Sequence, residues 1–131
     1  MSNQSKTSFA PVLMIPGGTT NVDFYKHAFN AIEKRRFSNQ DGSIHVVEFI
    51  VGDAMFHLHE ENYLKKQFSP LSCNGITTNI GLFVLDVDVV MEQAVSAGAK
   101  EILPAQDHDY GLRQGEIADP FGHHWTIQKM I

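Results

Sequence analysis

The sequence is poor in cysteine, in basic charge and in long apolar runs, and each shortage excludes a class of protein. The single cysteine, Cys73, precludes an internal disulfide and leaves no second thiol for a zinc-binding pair. With 15 acidic and 10 basic side chains the formal net charge is -5, which disfavours binding to a nucleic-acid backbone. No apolar stretch is long enough for a membrane-spanning helix. We therefore expect neither nucleic-acid nor membrane partners.

The remaining basic and polar stretches predict nothing beyond ordinary surface. The basic clusters at residues 34–36 and 65–66 suit a solvated strand or helix face better than a binding patch. Cys73 has no histidine or arginine beside it in the sequence, so an inert thiol is expected rather than a nucleophile. Residues 1–8 are polar and carry no apolar core or cleavage signature. They predict a flexible N-terminus and a cytoplasmic location.

The most informative feature is an internal repeat. Apolar residues spaced as on one face of a helix recur at 21–29 and at 87–95. Each stripe follows an extended apolar run, at 12–15 and 80–85, and three strand-like runs come after it. Those runs lie at 33–37, 43–51 and 54–59 and, in the second half, at 100–103, 111–118 and 123–129. Both halves predict a βαβββ unit, so we expect an α+β fold of two modules in tandem that form a cupped mixed sheet.

We predict one domain over residues 9–131, with the first module at 9–60 and the second at 78–131. The connection between them, residues 61–77, contains Pro70 and Gly75 and shows no sustained period. So long a connection in a short chain is expected either to cover a pocket or to reach a partner subunit. The sequence favours neither alternative.

The repeat also assigns side chains to the two faces of each sheet. When residues 50–59 are aligned with 117–128, Phe56 matches Trp125 and His57 matches Thr126. Side chains alternate along a strand, so Phe56 and Trp125 should face the helices. His57 and Thr126 should occupy equivalent places inside the cup, together with His59 on the same face.

A hairpin near the C-terminus carries a family signature. It consists of Tyr110, Gly111, Arg113, Gly115, Asp119, Pro120, Phe121, Gly122, His123 and Trp125. With the helix dipeptide Phe24 and Tyr25, it makes residues 11–128 resemble the vicinal-oxygen-chelate superfamily of glyoxalases, bleomycin resistance proteins and extradiol dioxygenases, and within it the PhnB-like branch. A tight turn explains Asp119 and the proline and glycine near it, so we interpret Asp119 as a turn former rather than a catalytic acid.

The resemblance implies where a metal ion would bind. Metal-dependent members use the first and last strands of each module, and the four positions fall at Ala10 or Pro11, His57, Asn79 and Thr126. Only His57 is a competent ligand, whereas catalytic zinc normally keeps three protein ligands. The cup is therefore expected to be free of metal. The alternative is a rearranged divalent-metal site formed by His57, His59 and His124.

The other polar residues of the predicted cup suggest a small-molecule site. Histidine is the side chain most often used as a general acid or base, so His57 and His59 are the candidate catalytic acid and base. Arg113 suits a carboxylate or phosphonate, and a surface ion pair with Glu116 explains it equally well. The candidate ligand-binding residues are Leu13, Asn79, Phe83, Tyr110, Arg113, His124 and Thr126. The histidines expected to be solvated and without a role are His27, His45 and His108.

Two functions remain open at this point. The first is a metal-free binding protein of the bleomycin-resistance kind that holds a small anionic or aromatic molecule. The second is a divalent-metal-dependent lyase or isomerase that acts beside a carbonyl, as the resemblance to metal-dependent members implies. The resemblance also implies a homodimer, because an open cup exposes strand edges that a second chain can cover.

Overall fold

The computed structural model describes residues 6–131, so most of the segment predicted to be flexible lies outside the described residues. The first half contains β1 (Val12–Ile15), α1 (Phe24–Phe29), β2 (Ile32–Ser38), β3 (Ile44–Val51) and β4 (Ala54–Glu60). A short helix, α2 (Pro70–Cys73), lies in the connection. The second half contains β5 (Asn79–Phe83), α3 (Val87–Ala97), β6 (Lys100–Asp107), β7 (Leu112–Ala118) and β8 (His124–Met130).

The two halves have the same topology. The strand orders are β1-β4-β3-β2 and β5-β8-β7-β6, so each sheet contains one module. In each sheet the first strand pairs with the last in parallel, and the other neighbours are antiparallel. The predicted α+β fold of two βαβββ modules is confirmed.

Local side-chain chemistry explains where the elements differ from their predicted bounds. α1 begins at Phe24 rather than near Asn21, because the Asn21 side chain accepts a hydrogen bond from the Asp23 amide at 2.9 Å and forms a turn before the helix. β6 continues through Pro104, beyond the strand-like run predicted at 100–103. It is an edge strand with shifts in register, and an edge tolerates a proline because one side of the strand needs no ladder hydrogen bonds.

The helix-covered faces of both sheets share one core. Tyr25 of α1 packs on Phe56 of the first sheet and on Trp125 of the second, with ring centres 5.2 and 6.0 Å apart. Phe56 and Trp125, the pair matched in the sequence repeat, are themselves 5.3 Å apart. Helices α1 and α3 also pack on each other, and Gln93 donates to the carbonyl of His27 at 2.8 Å. The modules are therefore held together through their helix sides.

Asp119 fixes that contact between the modules. Its carboxylate accepts from the Tyr25 hydroxyl at 2.5 Å and from the Trp125 indole at 3.0 Å. It also accepts from the backbone amides of Phe121 and His123 at 2.9 and 3.0 Å, which shapes the turn as the sequence predicted. Burial, reinforced by the neighbouring carboxylate, raises the pKa of Tyr25 well above its ordinary value. The Asp119 carboxylate thus accepts hydrogen bonds from four donors and has a structural role.

The connection is ordered by one carboxylate. Glu61 accepts from the Ser69 amide at 2.8 Å, the Ser72 hydroxyl at 2.5 Å and the Tyr63 hydroxyl at 2.8 Å. Its partial burial opposes ionisation, but the hydrogen bonds from Ser69 and Ser72 lower its pKa to about 2.

Between residues 6 and 131, no helix has the length and apolar character needed to span a bilayer.

Candidate functional site

Each sheet has one face turned away from the helices, which we call its open face. On β4 and β8 the core side chains Phe56 and Trp125 are only 5% and 2% exposed. Their neighbours His57 and Thr126 lie on the open faces and are partly accessible. The predicted assignment of these four side chains to the two faces is correct.

The strand registers make His57 and Thr126 geometrically equivalent. His57 lies opposite Val12 on β1 and Glu48 on β3. Thr126 lies opposite Gly81 on β5 and Glu116 on β7. Each open face therefore has a glutamate on its third strand beside the central position of its last strand.

On the open face of the first module, the glutamate forms an ion pair with an arginine. Arg35 on β2 donates to both carboxylate oxygens of Glu48, at 2.9 and 2.8 Å. The Glu48 side chain is only 9% exposed, and the hydrogen bonds from Arg35 lower its pKa. His57 lies beside this pair, with its Nε2 3.3 Å from the Met55 sulfur. Both carboxylate oxygens of Glu48 are therefore engaged by Arg35.

A pair of histidines lies farther along β3 and β4, where His45 and His59 meet. The rings of His45 and His59 are 4.9 Å apart, and His45 Nδ1 lies 3.0 Å from the Glu60 carboxylate. The hydrogen bond from Asn39 and the contact with His45 lower the pKa of Glu60. His59 Nδ1 lies 2.7 Å from the Glu60 carbonyl oxygen, which can only accept, so this nitrogen carries the proton in neutral His59. His45 was expected to be solvated without a role, yet it contacts a candidate catalytic residue.

The open face of the second module contains a cavity of about 170 Å³. Its lining combines two aromatic rings, two amides, a carboxylate and a hydroxyl with one aliphatic wall. The lining residues are Leu103, Gln106, His108, Tyr110, Gln114, Gly115, Glu116 and Thr126. Tyr110 and Thr126 were predicted to bind ligand, and the structure brings them to one cavity.

Hydrogen bonds hold the polar groups around this cavity in place. The Tyr110 hydroxyl donates to Gln114 at 2.5 Å, and the Gln114 amide donates to Gln128 at 2.7 Å. Glu116 lies 2.6 Å from His124 Nδ1.

Two further candidates adjoin this network on the same face. The Thr126 hydroxyl donates to Asn79 at 2.9 Å, so Asn79 touches a cavity-lining residue. Phe83 is also on this face, since it pairs with Gln128, and it is 59% exposed. The structure therefore gathers Asn79, Phe83, Tyr110, His124 and Thr126 on one open face.

Two predicted ligand residues lie elsewhere. Leu13 pairs with Leu58 on the helix side and is only 5% exposed, so its assignment to the cup is wrong. The parity of β7 turns Arg113 towards the helices, the same side as buried Ile117. There it forms ion pairs with Asp88 of α3 at 2.8 Å and with Asp107 at 3.0 Å. The expected partner Glu116 is on the opposite face.

The open faces do not fit the metal sites considered from the sequence. In the strand register Ala10 is the equivalent of Asn79, and its side chain offers no ligand atom. Asn79 and Thr126 are joined to each other by a hydrogen bond. Within residues 6–131, no three histidine, cysteine or acidic side chains come together as a metal site would need. One chain therefore does not gather His57, His59 and His124.

The sequence prediction missed several residues around the cavity. Gln114 and Glu116 follow from the alternation along β7 once its register with β8 is known. Gln128 was not missed, because alternation along β8 already assigns it to the same face as Thr126. His108 stacks on Tyr110 with ring centres 4.9 Å apart and an interplanar angle of 9°. Its position depends on the turn after β6, and β6 ends at Asp107, later than the predicted strand-like run at 100–103.

Comparison with known proteins identifies the family. The duplicated βαβββ frame with two open faces defines the class of fold. The family model described as the Glyoxalase/Bleomycin resistance protein/Dioxygenase superfamily matches residues 12–127. The chain belongs to this superfamily.

The chain has relatives in sequence and in structure. An uncharacterised protein of Mycobacterium bovis is 33% identical over 134 aligned residues, which span 100% of this chain and 88% of the relative. TioX from Micromonospora sp. ML1 has a TM-score of 0.68 at 23% identity, covering 95% of this chain and 100% of that chain. A gene product of Arabidopsis thaliana has a TM-score of 0.69 at 24% identity, covering 94% and 98%. These solved structures support the fold alone.

Proposed function

We propose that this protein binds a small planar molecule with hydrogen-bonding groups on the open face of its second module, without a metal ion. The observation that carries the proposal is the cavity where Tyr110, Gln114, Glu116 and Thr126 meet. Aromatic walls beside a few fixed polar groups are typical of small-molecule sites. This is a binding function of the bleomycin-resistance kind.

The chemistry of the cavity favours an aromatic ligand over an anionic one. The stacked rings of His108 and Tyr110 offer a flat surface for another ring. Among the described residues 6–131, no arginine or lysine lines the cavity. Arg113, which had suggested a carboxylate or phosphonate ligand, is bound to Asp88 and Asp107 on the far side of the sheet. A neutral ring with donor groups for Glu116 fits this site better than an anion does.

A second copy of the chain is proposed to complete the site. The cavity of about 170 Å³ is smaller than the roughly 300 Å³ at which ligand pockets usually begin. Apolar side chains beside it, Phe83 and Leu103, are 59% and 52% exposed. Covering such surface stabilises a dimer, and we expect a homodimer in sedimentation analysis.

The absence of a metal is proposed on the chemistry of the side chains. Three of the four positions implied by the superfamily hold residues that are poor ligands or none, and His57 alone is a weak site. Elemental analysis of purified protein tests this directly. Near-stoichiometric divalent metal that disappears in His57→Ala would favour the lyase or isomerase alternative.

Two neighbouring residues on β7 provide a matched test of the binding site. Gln114 points into the cavity and Arg113 points away from it. A library of planar heteroaromatic fragments would be screened by thermal shift, and the affinity of any stabilising fragment measured by calorimetry. Gln114→Ala and Tyr110→Ala should weaken binding about tenfold, because each removes a direct contact. Arg113→Ala should leave the affinity unchanged, and the proposal fails if Arg113→Ala alone abolishes binding.

We also infer a PhnB-like branch membership and a cytoplasmic location. The branch assignment rests on the hairpin signature from Tyr110 to Trp125, in which Asp119 and Gly122 form the observed turn. The location rests on the single cysteine, which needs no oxidising compartment. Localisation of a tagged full-length protein in cell fractions tests the second point.

A further inference from the structure

A second cavity lies between the two sheets, outside the site proposed above. Its volume is about 340 Å³, twice that of the open-face cavity. β1 forms one wall, the start of β5 forms another, and residues 68–78 of the connection complete the lining. Among the strands within residues 6–131, neither β1 nor β5 has a second neighbour, so each has one open edge.

The open edge of β1 presents unpaired backbone groups to the cavity. Pro11 and Ile15 accept hydrogen bonds from His57 and Glu61 at 2.8 and 3.0 Å, so these β1 residues direct their backbone towards β4. Alternate residues of a strand direct their N–H and C=O groups to opposite edges. Val12 and Met14 therefore direct theirs away from β4, and both residues line the cavity.

His123 determines which of those groups remain available. Its Nε2 lies 2.7 Å from the Met14 carbonyl oxygen, which can only accept, so Nε2 is the donor. His123 is 9% exposed and lines the same cavity. Within residues 6–131, the Val12 N–H, the Val12 C=O and the Met14 N–H are left without a partner along this edge. The edge thus offers a donor, an acceptor and a donor in sequence.

The rest of the lining mixes apolar side chains with the hydroxyls of Thr77 and Thr78. Phe68, Ile76 and Ile80 supply apolar walls, and in the part of the chain that the structure describes no aspartate, glutamate, lysine or arginine lines this cavity. A charged ligand would lose its hydration without gaining an ion pair. A ligand that fits must be neutral and must present an acceptor, a donor and an acceptor at the spacing of a β-strand.

We propose that this cavity binds a short, extended, uncharged peptide segment by strand addition to β1. The backbone C=O, N–H and C=O of such a segment match the free groups of Val12 and Met14. Its small apolar side chains pack on Phe68 and Ile76. Strand addition supplies affinity through backbone hydrogen bonds and selectivity through the adjacent apolar walls.

The test uses a capped dipeptide, N-acetyl-valyl-alanine methylamide, titrated into the full-length, ¹⁵N-labelled protein. The Val12 and Met14 amide signals should shift, and their exchange with solvent should slow when the peptide is bound. A matched analogue in which the valyl–alanine amide is replaced by an ester lacks the central donor. It should bind about two- to tenfold more weakly, the equivalent of one net hydrogen bond.

Protein variants separate this cavity from the open-face site. Ile76→Trp should fill the cavity and weaken peptide binding more than tenfold, and Thr78→Trp provides a second filling variant if the first is poorly folded. Leu64→Trp is the matched control, because Leu64 lies on the same connection but is 98% exposed and outside the cavity. It should bind as the wild type does.

Two results would overturn the inference. The first is no shift of the Val12 and Met14 amides at millimolar peptide. The second is a response confined to Gln114 and Thr126, which would place the peptide in the open-face cavity. Neither result bears against the proposed binding of planar molecules at that cavity, so the two proposals fail separately.

Discussion

The two modules share a frame but carry different chemistry on their open faces. Glu48 and Glu116 occupy equivalent places, and so do His57 and Thr126. In the first module the Arg35 guanidinium donates a hydrogen bond to each carboxylate oxygen of Glu48. In the second module Glu116 contacts His124 instead, and the nearby arginine, Arg113, faces the helices. One face is closed by an ion pair, while the other holds a cavity.

This difference shows how a repeated frame and a divergent site coexist. The inward residues of both modules pack into one core, where Phe56 and Trp125 touch each other and Tyr25. A close-packed core resists changes of volume. Side chains on the open faces have few such constraints, so each face can acquire its own ligand chemistry without disturbing the fold.

The largest expected difference between the modules is in the turn before the last strand. Asp119→Ala should lower the free energy of unfolding by about 3–5 kcal/mol, because it leaves buried donors of Tyr25 and Trp125 without an acceptor. Asp53 lies in the corresponding turn of the first module and is exposed. Asp53→Ala should cost less than about 0.5 kcal/mol.

Urea unfolding followed by circular dichroism measures both variants. Fluorescence of the single tryptophan, Trp125, gives a second probe from inside the shared core. Similar effects of Asp119→Ala and Asp53→Ala would show that the modules do not differ in this way, and that Asp119 does not join them.

A smaller difference is expected between Glu48 and Glu116 in what each contributes to the free energy of unfolding. The lowered pKa of Glu48 means that its ion pair adds stability above the unfolded pKa of about 4.3, and that this stability is lost as the pH falls through the folded value. Glu48→Gln should therefore destabilise the protein at pH 7 and become neutral at acid pH. Arg35 is largely exposed, so solvent screening limits the effect to about 1 kcal/mol or less.

Glu116→Gln serves as the matched comparison. It should change the unfolding free energy by less than about 0.5 kcal/mol, because its contact with His124 is partly solvated and glutamine still accepts a hydrogen bond. Its effect should appear in ligand affinity. Denaturant titrations from pH 3 to pH 7 separate the two variants, and equal pH dependence would contradict the contrast between the faces.

Much of the fold could be predicted from the sequence, because burial imposes a period on it. The helical stripes and the alternation around His57 and Thr126 identified both modules and the face of each of these residues. The predicted faces of Leu13 and Arg113 were wrong. The face on which a side chain lies depends on strand register, and register depends on partner strands far along the chain. His108 was missed because its turn follows an edge strand that runs through a proline.

A crystal structure of the protein soaked with a stabilising heteroaromatic fragment tests the central claim most directly. We expect the ring of the fragment to stack on Tyr110, with the fragment's polar atoms within hydrogen-bonding distance of Gln114, Glu116 or Thr126. Ligand density on the helix side beside Arg113, or on the first module's face with the second left empty, would contradict it.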